Sequence, residues 1–141
     1  IDPPSTRSLV AYRASAAAGT ELLEQSSRKK WGFLAFDVLA RGLLGGRYDE
    51  RTTFGKRDLR SRGARFTAGA FEKNLARARK LAALARELEV SPAALAARAV
   101  LSKAGISACI VGMKSPTQVD ELVRSSSLRL SSETRAQLEA V

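Results

Sequence analysis

The chain has 141 residues, a length typical of one domain, and 45% of its residues are hydrophobic, which is enough to fill a core. It has no histidine and one cysteine, which excludes a histidine-dependent catalytic triad, an intrachain disulfide and a cysteine metal cluster within this chain. The net charge of +10 indicates partners that carry phosphate, either a nucleic acid or a nucleotide cofactor.

No apolar stretch approaches the roughly 20 residues that a membrane span needs, and no charged-then-apolar leader opens the sequence. Together with the single cysteine, these features favour a cytoplasmic location and no membrane partner.

The first third of the chain is predicted to contain one helix and one strand. Residues 1–19 are irregular by composition, and Thr20 suits the N-cap of a helix over residues 21–30, whose basic end favours the helix dipole. Residues 31–36, Trp-Gly-Phe-Leu-Ala-Phe, form a short apolar run that is typical of a buried parallel strand. Three glycines between residues 42 and 46 predict a loop after this strand.

A long polar loop is predicted at residues 49–69. It exceeds the usual length of a connection, which indicates a functional or mobile segment. Residues 51–65 carry six basic residues and one acidic residue. This cluster fits a solvated loop and an anion-contacting loop equally well.

The remainder is predicted to alternate helices with a second strand. Apolar residues recur at helical spacing from Phe71 to Leu88, and Ser91-Pro92 begins a helix that reaches Lys103. Residues 106–111 form a second buried-strand candidate. The spacing of Ser115 and Gln118 is that of a capping box, and a last helix begins near Ser131. Strand and helix alternation predicts an α/β fold with a parallel sheet.

Two segments resemble the aldo-keto reductase superfamily. Residues 32–48, with the sequence GFLAFDVLARGLLGGRY, are similar to the family's seventh barrel strand and the loop after it. Residues 91–122, which include IVGMKSPTQVDE, are similar to its eighth strand and the loop that binds the cofactor's adenosine. Residues 60–66, RSRGARF, match a stretch common in bacterial members. The resemblance covers roughly residues 20–141.

The resemblance implies the C-terminal part of a (β/α)8 TIM barrel, with about strands 7 and 8 and flanking helices, incomplete as a barrel. Residues 1–141 would form one partial domain, with a lead-in at 1–19 and barrel units at 20–141. The implied function is the NADP(H)-binding portion of an oxidoreductase that transfers hydride between NADPH and an aldehyde or ketone. Another chain or segment would complete the barrel.

Nine residues match the family's cofactor-binding positions: Phe36, Leu39, Ala40, Gly42, Arg47, Gly112, Lys114, Gln118 and Glu121. By resemblance, Phe36 stacks on the nicotinamide ring, and the next four lie along the pyrophosphate. The last four hold the adenosine, with Lys114 at the 2′-phosphate, which favours NADP over NAD. Structural alternatives remain open: Phe36 as a core aromatic, Arg47 as a surface residue and Gln118 as a helix-capping residue.

Three residues depart from the family pattern. Asp37 replaces a serine and would repel a pyrophosphate, Val38 replaces a proline, and Leu122 replaces an asparagine that reads the adenine. The family's tyrosine, lysine, aspartate and histidine come from earlier strands, so no catalytic residue is assigned. We therefore expect this chain alone to be inactive.

Two other interpretations are kept. The departures at residues 37, 38 and 122 also fit a noncatalytic truncated module that binds a partner. A nucleic-acid binder is disfavoured, because no helix-turn-helix, zinc or RNA-binding signature accompanies the positive charge. No metal site is expected.

Overall fold

The computed structural model describes residues 21, 23–25, 27–67 and 69–140. From residue 31 onward, two strands and four α-helices follow one another: β1 (Leu34–Ala35), α1 (Ala70–Glu87), α2 (Pro92–Leu101), β2 (Ala108–Cys109), α3 (Pro116–Ser125) and α4 (Ser132–Ala140). Three 3-10 helices lie between β1 and α1: Ala40–Gly45, Leu59–Arg62 and Ala64–Phe66. Residues 21, 23–25, 27 and 28 are helical, as predicted. The predicted lead-in and the Thr20 cap lie outside the described residues.

The two strands pair in parallel, with Leu34 opposite Ala108 and Ala35 opposite Cys109. The Ile110 amide extends the ladder by donating to the Ala35 carbonyl at 2.7 Å. The predicted parallel pair is therefore confirmed, but each strand is shorter than the apolar run that predicted it. Among the described residues, each strand has the other as its one neighbour. The backbone therefore forms strand hydrogen bonds only where β1 and β2 lie side by side.

Among the described residues, one face of this small sheet packs on α2 and the other is exposed. Phe33 and Ala35 are buried, whereas Leu34 between them is 44% exposed and Ile110 is 57% exposed. Side chains alternate between the faces of a strand. The strands therefore present apolar side chains to both faces, as a strand buried on two sides would.

The main core lies between the 3-10 helix after β1 and the helices α1 and α2, where Leu43, Leu81 and Leu95 are fully buried. Leu130 and Leu138 add α4 to it. The buried face of α1 confirms the helical period predicted from Phe71. No helix in the described part of the chain is both long and apolar enough to cross a membrane.

Local capping signals begin three of the helices. The Ser91 and Ser131 hydroxyls accept hydrogen bonds from the amides of Ala94 at 3.2 Å and Thr134 at 3.0 Å. Ser115 caps α3 by accepting from the Gln118 amide at 3.4 Å. These starts agree with the sequence predictions because a cap is decided within four residues.

Candidate functional site

An open cleft of about 750 Å³ lies where both strands end. One wall is the segment after β1, residues 37–48, and the opposite wall is the segment after β2, residues 110–122. Residues 58–60 of the long loop and the start of α2 close the remaining sides. This volume lies in the range of cofactor and small-molecule pockets, roughly 300–1,000 Å³.

The wall after β1 has an unusual backbone. Asp37, Ala40 and Arg41 adopt left-handed conformations with φ of 56°, 50° and 58°, and Gly42 follows at 91°. Residues with a Cβ adopt this region rarely. A Cβ added at Gly42 would also lie 2.7 Å from the Tyr48 hydroxyl, which donates to the Arg41 carbonyl at 3.0 Å. Glycine is therefore required at this position by both conformation and space.

Asp37 does not present a free carboxylate to the cleft. One of its oxygens accepts from the Arg41 amide at 3.0 Å, and the other accepts from the Arg65 guanidinium at 2.7 Å. The Asp37 and Arg65 side chains are only 17% and 19% exposed, so water screens this pair weakly. The charge that was expected to repel a pyrophosphate is thus balanced by Arg65, an arginine of the RSRGARF stretch.

The long loop is ordered by a charged and aromatic cluster. Arg60 forms an ion pair with Asp58, donates to the Tyr48 hydroxyl, and lies 4.6 Å above the Phe54 ring centroid. The hydrogen bonds from Arg60 lower the pKa of Asp58 to about 2, and the bond to Asp58 raises the pKa of Arg60. Phe54 also packs edge-on against Phe66 with centroids 5.1 Å apart. The loop therefore has a packed interior of its own.

Sequence reasoning did not find this cluster. Tyr48, Asp58 and Arg60 line the cleft, whereas the length of the loop, its basic residues and the RSRGARF match predict none of these contacts. The signal that was available is the pair of phenylalanines at residues 54 and 66, because aromatic residues in a charged segment indicate packing rather than solvation.

The wall after β2 leads into α3. The Gln118 side-chain oxygen accepts from the Lys114 amide at 2.7 Å, so Gln118 fixes the turn that carries Lys114. In a capping box, the Gln118 side chain would accept from the amide of the N-cap residue, Ser115. Here it accepts from the amide one residue earlier, so it caps the helix start through a different partner. A Cβ at Gly112 would meet nothing within 4 Å, which leaves open space beside that backbone.

Seven of the nine residues matched to cofactor positions line the cleft: Leu39, Gly42, Arg47, Gly112, Lys114, Gln118 and Glu121. Ala40 is fully buried in the core, so only its backbone is available to a ligand. Phe36 follows β1 directly, is partly buried, and lies outside the cleft lining. The departing residues Asp37, Val38 and Leu122 also line the cleft.

The described residues include no group of three or more acidic or cysteine side chains that could hold a metal ion. The half-buried thiol of Cys109 lies outside the cleft, and burial raises its pKa to about 11. It is thus far from the thiolate form that a nucleophile needs.

Residues 8–141 match the aldo/keto reductase family. Among solved structures, the chain is similar to the glycerol dehydrogenase AKR11B4 from Gluconobacter oxydans, with 31% identity and a TM-score of 0.77. The likeness covers 84% of this chain and 36% of that chain, so this chain spans little more than a third of the dehydrogenase. No curated protein matches the sequence. The expected fold, part of a (β/α)8 barrel, is confirmed, with a sheet that is not closed.

Proposed function

The chain belongs to the aldo/keto reductase family, and from that membership we propose that its cleft is the NADP-binding portion of a reductase that transfers hydride between NADPH and a carbonyl substrate. The observation that carries the proposal is the cleft itself, which gathers seven of the nine residues matched to cofactor positions. One solved structure that the chain resembles is that of a glycerol dehydrogenase.

The charges of the cleft fit a dinucleotide with several phosphates. Two of the three acidic residues in its lining, Asp37 and Asp58, are paired with arginines, while the third is Glu121. By contrast, Arg47 and Lys114 form no salt bridge with any residue that the structure describes, and both line the cleft. Arg47 would contact the pyrophosphate and Lys114 the 2′-phosphate. The start of α3 lies next to Lys114 and adds the positive end of a helix dipole.

The remaining residues would orient the cofactor. Glu121 lies one turn beyond Gln118 on the cleft side of α3, which suits contacts to the ribose and adenine. The open space beside Gly112 would allow the dinucleotide to approach the backbone closely, whereas the space beside Gly42 is taken by the Tyr48 hydroxyl. Phe36 is partly exposed at the end of β1, where it would contact the nicotinamide. The cofactor, when bound, supplies the hydride, and this chain holds it in place.

The alternative, a noncatalytic interaction module, drew on three departures from the family pattern. The ion pair between Asp37 and Arg65 removes the electrostatic objection from one of them. Val38 is buried, so its side chain acts in packing. The reductase interpretation is therefore the better supported of the two.

The proposal is tested by replacing Lys114 with methionine, which keeps the aliphatic stem and removes the charge. Hydrogen bonds to charged groups are worth about 1.5–3 kcal/mol, so NADPH affinity should fall about 10- to 100-fold. NADH affinity should change less than about twofold, because NADH has no 2′-phosphate. Calorimetric titration of the protein with each cofactor measures both.

Lys80→Met is the matched control, because Lys80 is exposed on α1 and lies outside the cleft. It should leave both affinities unchanged. Equal losses of NADPH and NADH affinity in Lys114→Met would remove the 2′-phosphate assignment. Absence of measurable affinity for either cofactor in the unaltered protein would overturn the proposed function.

A further inference from the structure

Three arginines join the wall after β1 to the long loop: Arg60 donates to the Tyr48 hydroxyl at the end of the wall, and two others act at its beginning. Arg65, from the 3-10 helix Ala64–Phe66, reaches Asp37. Arg41, from the wall itself, donates to the Leu59 carbonyl at 3.2 Å. Arg65 reaches from the loop to the wall, and Arg41 reaches from the wall to the loop. Both contacts involve the turn that begins at Asp37.

The arginine that reaches Asp37 comes from a braced backbone. Asn74 is buried on α1, and its side-chain amide donates to the Arg65 carbonyl at 3.2 Å. Phe66, the next residue, packs on Phe71 with ring centroids 6.0 Å apart. Because α1 holds the backbone of Arg65, the ion pair between Arg65 and Asp37 links α1 to the cleft wall.

The partner on the wall is equally constrained. Asp37 uses its second oxygen to hold the Arg41 amide, which fixes a residue in the left-handed region. A serine at residue 37 could also accept from that amide, but it would leave the Arg65 guanidinium without a counter-charge. The carboxylate is thus needed for the ion pair between the wall and the loop, and not for the turn alone.

We propose that Asp37 is a positioning residue for the cofactor. Through Arg65 it holds the long loop against the wall after β1, so that this wall and residues 58–60 of the loop are in place before a nicotinamide dinucleotide binds. The inference rests on the proposed function for the identity of the ligand. Asp37 acts through Arg65 and does not itself hold the cofactor. Preorganisation of this kind raises affinity by lowering the ordering cost of binding.

The test is a double-mutant cycle of Asp37→Ser and Arg65→Met, read by hydrogen exchange of the amides at residues 59–66. Each single change should accelerate exchange about tenfold, the effect of losing one partly buried charged hydrogen bond. The double variant should exchange no faster than the singles, because all three lack the same contact. Arg65→Lys keeps the charge and should restore most of the protection.

Glu50→Gln is the matched control. Like Asp37, Glu50 pairs with an arginine. Its partner is Arg79 of α1, and the side chains of Glu50 and Arg79 are 61% and 56% exposed. Exposed pairs contribute little, so exchange at residues 59–66 should change less than about twofold. Exchange in α1 reports whether each variant keeps its fold.

NADPH affinity, measured by calorimetry in the same variants, separates this inference from the proposed function. It should fall about tenfold in each single variant and no further in the double. Additive changes, or unchanged exchange at residues 59–66, would overturn the positioning role even if the unaltered protein binds NADPH. If exchange shows the coupling but the unaltered protein binds neither NADPH nor NADH, the loop contact stands while its role toward a cofactor is overturned.

Discussion

Replacing Gly42 by alanine should destabilise the wall after β1 more than any other single methyl group added to that segment. Gly42 has φ of 91°, a conformation that costs a residue with a Cβ about 1–2 kcal/mol. The new Cβ would lie 2.7 Å from the Tyr48 hydroxyl and 3.4 Å from the ring carbon that carries it. A distance of 2.7 Å between a Cβ and an oxygen is too short for a non-bonded contact, so the Tyr48 ring must move.

Movement of Tyr48 breaks two hydrogen bonds, one to the Arg41 carbonyl and one from Arg60. Each is worth about 0.5–1.5 kcal/mol. Together with the cost of the backbone conformation, the free energy of unfolding should fall by about 2–5 kcal/mol. Urea unfolding followed by circular dichroism measures this change.

Two variants make the test specific. Gly45→Ala lies in the same 3-10 helix with no atom within 4 Å of its added Cβ, so it should cost less than about 0.5 kcal/mol. Tyr48→Phe removes the oxygen that the new methyl group meets. The double variant Gly42→Ala/Tyr48→Phe should therefore be about 1 kcal/mol more stable than the sum of its singles. Equal costs at Gly42 and Gly45, or strict additivity with Tyr48→Phe, would refute the reasoning.

Three further outcomes are expected. The purified 141-residue chain should show no NADPH oxidation with a reactive aldehyde, since general acid–base groups contribute about 10²–10⁴-fold and the family's come from earlier strands; measurable turnover would contradict this. The pKa of Asp58 is lowered from 3.8 to about 2, so its stabilising contact with Arg60 is complete above pH 4 and is lost as the pH falls toward 2. A carboxyl titration by NMR should show that midpoint, and in Arg60→Met the pKa of Asp58 should rise only part of the way to its ordinary value, because the backbone amide of residue 60 still donates to the carboxylate. Alkylation of Cys109 should be slow at pH 8 and rise only above about pH 10, because burial raises its pKa to about 11; rapid labelling at pH 8 would show an exposed thiol.

Much of the fold could be predicted because its signals are local. The period of α1, the caps at Ser91 and Ser115 and the start of the last helix near Ser131 are decided within a few residues, and the structure agrees with all of them. The parallel pairing followed from alternation of strands and helices. The length of each strand was overestimated, since an apolar run records burial and not the number of paired neighbours.

The site was predicted less completely because its decisive contacts are distant in sequence. Asp37 and Arg65 are 28 residues apart, and nothing in the local sequence of either indicates the other. The left-handed backbone at Ala40 and Arg41 could not be predicted, because neither position is a glycine. The preference for NADP, the cytoplasmic location and a second chain that completes the barrel stay predictions.

The parallel pair of strands also bears on how the molecule folds. Phe33 and Ser107, which hydrogen-bond at the start of the pair, are separated by 74 residues. Contacts at such separation form slowly, because the chain entropy of closing the loop is lost before the pairing is gained. Formation of α1 and α2 shortens the distance that the intervening chain must search. The two walls of the cleft each follow one strand, so we expect the cleft to be completed late in folding, and a ligand that bridges both walls would stabilise the folded arrangement by mass action.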